Sequence, residues 1–74
     1  MTLDKLEVGQ TAIIKKVNGQ GVLRSRLLEM GLIPKTEVKV VKKAPLGDPI
    51  ELYLRSYSLT IRKEDGSQIE VEVK

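Results

Sequence analysis

From Glu37 onward, apolar side chains recur at every second position. Val38 and Val40 flank Lys39, and Ile50, Leu52 and Leu54 alternate with Glu51, Tyr53 and Arg55. Leu59 and Ile61 alternate with Ser58, Thr60 and Arg62, and Ile69, Val71 and Val73 with Glu70 and Glu72. A period of two places one set of side chains on a single face of an extended strand, so these four segments read as half-buried strands of an antiparallel sheet. A further strand is expected at residues 12–17, where Ala12 and Ile14 share a face. Val17 falls out of phase with them, which implies a bulge or strand end.

One segment breaks this rhythm. Leu23, Leu27 and Met30 stand at i, i+4 and i+7, the spacing of one helical stripe, so residues 22–30 are expected to form a helix. Gly31 stands where a left-handed C-terminal cap belongs, and Pro34 lies just beyond. Arg24 and Arg26 near the start and Glu29 near the end oppose the helix dipole, so this helix must be held by docking on the sheet. Arg26 and Glu29, three apart, are expected to pair on its surface. The remaining connections are short: Ala44 to Pro49, Arg55 to Tyr57, and a turn at Asp65-Gly66.

Five short strands and one helix between the first and second strands give a mainly β fold. A small, partly open five-stranded barrel of the SH3-like kind fits this size better than an oligonucleotide-binding fold. Residues 1–74 read as a single domain without linker or repeat. The first ten residues, MTLDKLEVGQ, lack the apolar core of a secretory signal. No apolar run approaches the ~18 residues of a membrane span, so a cytoplasmic location is expected.

Chemistry is restricted by what is missing. With no histidine and no cysteine, the chain has neither imidazole base nor thiolate nucleophile, and lacks the usual soft metal ligands. Its carboxylates are scattered and match no calcium-loop spacing. An enzyme is not expected, nor is a bound cofactor or metal. Gly19-Gln20-Gly21 precedes the helix but lacks the Gly-Lys-Ser/Thr ending of a phosphate loop, and reads as a flexible turn.

Binding is the remaining class. The loop Ala44-Pro45-Leu46-Gly47-Asp48-Pro49 is stiffened by two prolines, and Leu46 has no assigned place on a core face. It either presents an apolar tip to a partner or folds back to cap the barrel. Leu28 lies off the helical stripe, where it is either an apolar spot beside Arg24 or part of a wider buried face. Arg24, Leu28, Pro45, Leu46 and Asp48 are therefore the candidate partner-contact residues. Lys15, Lys16, Lys42 and Lys43 could instead contact phosphates of nucleic acid or the ribosome. Tyr53 and Tyr57 are too few to stack single strands or to grip proline-rich peptides, and no nucleic-acid partner is expected.

The order of motifs resembles the FeoA family. It runs Leu6-x-x-Gly9-x-x-Ala12-x-Ile14-x-x-Val17, then Arg26-Leu27-x-Glu29-Met30-Gly31-Leu32-x-Pro34. Ala44-Pro45-x-Gly47-Asp48-Pro49-Ile50, Leu59-x-Ile61-Arg62-Lys63 and Ile69-x-Val71 follow. Lys35 and Ser56 stand where the family usually has glycine, and Gly66 where alanine is common. The resemblance implies an SH3-like accessory of bacterial ferrous-iron uptake that binds the membrane transporter FeoB, at the inner face of the membrane. It also carries the family's association with transition-metal binding, which these residue types do not support. Because the same barrel occurs in the C-terminal domain of iron-dependent repressors, a stand-alone regulatory barrel is an alternative.

Overall fold

The computed structural model describes residues 1–74. After a 3-10 turn at Leu3–Lys5 come β1 (Thr11–Val17), α1 (Gly21–Glu29), β2 (Glu37–Lys43), β3 (Ile50–Leu54) and β4 (Tyr57–Ile61). The one-turn α2 (Lys63–Gly66) and β5 (Ile69–Val73) complete the chain. The five strands form one antiparallel sheet in the order β4-β3-β2-β1-β5, which curls around the core without closing.

The bulge expected in β1 is present. Pairing with β5 slips between Ile14 and Lys16, and the extra residue returns Val17 to the inner face, where it is buried with Ala12 and Ile14. A second slip, between Val40 and Lys42, leaves no mark in the sequence pattern. It places Val41 at the surface while Val40 remains in the core. Fifteen aliphatic residues make that core, drawn from every strand, from α1 and from Leu3, Leu6 and Leu32.

Helix α1 runs one residue earlier than expected. Leu27 is fully buried, while Leu23, Leu28 and Met30 are half-buried against the core, so the apolar face is broad. Its end is a Schellman cap: the Gly31 amide donates to the Leu28 carbonyl at 3.0 Å, and that of Leu32 to Leu27 at 3.2 Å. Gly31 has φ +96°, a conformation that costs residues with a Cβ about 1–2 kcal/mol. The Tyr57 hydroxyl, from the start of β4, donates to the Met30 carbonyl and fastens the helix end to the sheet.

The Asp65-Gly66 turn is corrected. These residues close α2 and both are buried, with Gly66 packed against Asp4 of the first turn. A tight hairpin there would require β4 and β5 to be neighbours, whereas they occupy opposite ends of the sheet. Val73 and Val8 also escape the core. Val73 sits at the last rung of the β1–β5 ladder, and Val8 lies in the Glu7–Gln10 turn.

The two sheet edges differ. The outer edge of β5 is covered by the start of the chain: Thr2 bridges Glu70, and the Val71 amide donates to the Met1 carbonyl at 2.8 Å. The outer side of β4 has no strand partner. No helix is long and apolar enough to cross a membrane.

Candidate partner-docking surface

The Ala44–Pro49 loop joins β2 to β3 and is tied at three points. The Gly47 amide donates to the Ala44 carbonyl at 2.7 Å, and the Ala44 amide to Pro49 at 3.1 Å. Asp48 Oδ1 accepts the Lys63 amide at 3.0 Å, joining the loop to the first residue of α2. Gly47 takes φ +81°, which a side chain would resist. Held this way, the loop projects Leu46 into solvent with 91% of its surface exposed, the most exposed large apolar side chain in the chain. Of the two placements the sequence allows for Leu46, the structure has the projecting one. Pro45 beside it is also exposed.

Not all of the candidate contact residues gather around this tip. Asp48 and Pro49 border a groove of about 480 Å³ that runs between the loop, α1 and the uncovered side of β4. Its other walls include Arg26, Met30, Thr60, Ile61 and Arg62. Arg24 and Leu28 do not line it. Arg24 Nε donates to the Val17 carbonyl at 3.2 Å, which anchors the start of α1 to the end of β1. Leu28 is half-buried against the core.

Arg26 reaches away from its own helix. Its guanidinium lies 3.5 Å from Asp65 Oδ2 on α2, and this contact replaces the expected pairing with Glu29. Asp65 is largely buried and so offers a fixed carboxylate, whereas Glu29 is exposed on the surface. Of the groove residues only Asp48 is among the sequence-derived candidates; Arg26, Met30 and Arg62 are not. The helical spacing places Met30 on the core stripe, and nothing local indicates that Arg62 would face α1. No group of three or more carboxylates converges where a metal ion could be held.

A FeoA domain model matches residues 1–73 of the chain. The Fe(2+) transport protein A/Fe(2+) transporter FeoB fusion protein of Porphyromonas gingivalis is 42% identical over 73 residues, which is 99% of this chain. The chain spans only 9% of that fusion's length. Among solved structures, the iron(II) transport protein A of Clostridium thermocellum superposes with a TM-score of 0.93 at 41% identity, covering 99% of this chain and 45% of the other. FeoA of Stenotrophomonas maltophilia, solved with zinc and described as a prokaryotic SH3 domain protein, gives 0.85 at 25% identity over 97% and 89% of the two chains. The five-stranded unclosed sheet is thus the SH3-like barrel that the strand pattern predicts.

Proposed function

The chain belongs to the FeoA domain family, and on that premise we propose that it is a non-enzymatic accessory of ferrous-iron uptake that docks on the transporter FeoB. The observation that carries this reading is Leu46, an almost fully exposed leucine on a loop whose backbone is already fixed. A fixed loop loses little conformational entropy on binding, and a leucine of this size contributes roughly 1.5–3 kcal/mol when its apolar surface leaves water.

Pro45 and Leu46 make the contact, and Asp48 serves by holding the loop on α2. Arg24, exposed at the start of α1, and the accessible part of Leu28 would make a second contact, separate from the loop. Fusion of the two transport proteins in the Porphyromonas gingivalis relative supports an association in which both act at one place. The chain itself then works in the cytoplasm, at the membrane's inner face. The absence of imidazole and thiol ligands argues for contact with the transporter rather than carriage of iron.

The test is co-purification of tagged chain with FeoB. Leu46→Asp should abolish recovery of the transporter while leaving the amide spectrum of the chain unchanged. A folded Leu46→Asp variant that recovers FeoB as well as the parent would remove the loop from the interface.

A further inference from the structure

A second surface lies where the start of β2 meets the β3–β4 hairpin. Lys35, Lys39 and Arg55, together with Tyr53, line a cleft of about 360 Å³ there. None of these three cations has a carboxylate within 4.0 Å; the chain's ion pairs all involve other residues. The acidic side chain in the cleft wall, Glu37, is held by Lys74 at 2.6 Å. The cleft therefore presents unneutralised positive charge.

These cations stand on fixed backbone. The Lys35 amide donates to the Ile14 carbonyl at 2.7 Å, and the Ile14 amide to Thr36 at 2.9 Å, which lashes the segment to β1. Arg55 occupies the two-residue turn between Leu54 and Tyr57, and its guanidinium donates to the Thr36 hydroxyl at 3.0 Å. Thr36 is buried, so it orients the guanidinium while leaving the other N–H donors free. Lys39 is paired across the ladder with Tyr53, whose ring is about half exposed at 46%. Both Lys35 and Arg55 hold left-handed backbone, at φ 74° and 47°.

We infer that this cleft receives a carboxylate-rich extended segment of a partner protein. Alternate side chains of an extended peptide point the same way, so acidic residues at every second position can enter together. A fixed arginine fork suits carboxylates, and pre-positioned charges raise both specificity and association rate. Nucleic acid fits less well. The outer sheet face beyond the cleft bears Glu51 and Glu72, whose carboxylates repel a phosphate backbone that extends past it. Lys15 is meanwhile 3.3 Å from Glu72. The inference is independent of the Leu46 reading, because the two surfaces share no residue.

The experiment is an amide-resolved NMR titration of the purified chain at low ionic strength with acetylated hexaglutamate. Inorganic phosphate, duplex DNA and phosphatidylglycerol vesicles serve as comparison probes at equal charge. Hexaglutamate should shift the Lys35, Lys39, Tyr53 and Arg55 amides saturably, and added salt should weaken the effect. The Lys35→Asn/Arg55→Asn double variant keeps residues that tolerate positive φ and should weaken binding by about tenfold or more. Lys39→Gln, in a regular strand, tests the cleft without touching the turns and should weaken it in the same direction. Four results would each overturn the inference: no saturable shift, shifts spread evenly over all lysines, undiminished binding by the folded variants, or saturation of the cleft by phosphate, DNA or vesicles at lower charge concentration than by the peptide.

Discussion

Replacing Gly31 by alanine probes how the helix is fastened to the sheet. A Cβ at this position would clash with the Tyr57 hydroxyl oxygen, and φ there is +96°. The left-handed backbone alone costs an alanine about 1–2 kcal/mol. The tyrosine must also swing aside and release the Met30 carbonyl, a hydrogen bond with a net value of about 1 kcal/mol. Gly31→Ala should therefore destabilise the chain by about 2–3 kcal/mol in total. In a Tyr57→Phe background the obstructing oxygen is gone and the bond already lost, so only the backbone contribution remains. The two changes should couple by about 1 kcal/mol, measured by urea denaturation of the parent, both single variants and the double variant. In a chain this short each kcal/mol moves the melting temperature by roughly 4–8 °C, so a thermal melt resolves the same cycle. Additivity within about 0.5 kcal/mol would refute the claim that Tyr57 and the glycine cap form one device.

Other substitutions separate the surface from the scaffold. Leu46→Asp should change the unfolding free energy from urea denaturation by no more than about 0.5 kcal/mol, because the side chain touches almost nothing. Leu27→Ala, at the centre of the core, should lower stability by about 2–5 kcal/mol in the same assay. Asp48→Ala removes the acceptor for the Lys63 amide and should cost about 1 kcal/mol, with faster amide exchange at Lys63 as its local signature. Lys35→Gly should raise stability by up to about 1 kcal/mol by relieving positive-φ strain, while weakening capture of the acidic peptide; a loss of stability would contradict the strain.

Most of the architecture could be read from periodicity, because strands and helices repeat at different intervals and each buries one face. The β1 bulge was visible in the phase of Val17, and the helix end in Gly31 followed by Pro34. What escaped depends on partners distant in sequence. Asp65-Gly66 has the local chemistry of a tight turn, and only the separation of β4 from β5 makes it part of a crossing helix. Val40 and Val41 are equally apolar, so nothing in their order says which one the second bulge expels. The exposed loop leucine could be found as an apolar residue without a strand position. Arg26 and Asp65, or Lys35, Lys39 and Arg55, share no motif, and only the curled sheet brings them together.

The unequal edges of the sheet limit how copies of this protein could ever join. A strand ladder propagates only when each added unit presents a fresh bare edge, and here the opening residues occupy one of the two. Strand pairing between two copies therefore has its bare edge at β4, whereas the β5 edge is shielded at Glu70 and Val71. The stretch ahead of the first turn thus covers part of an edge that would otherwise be open to strand addition.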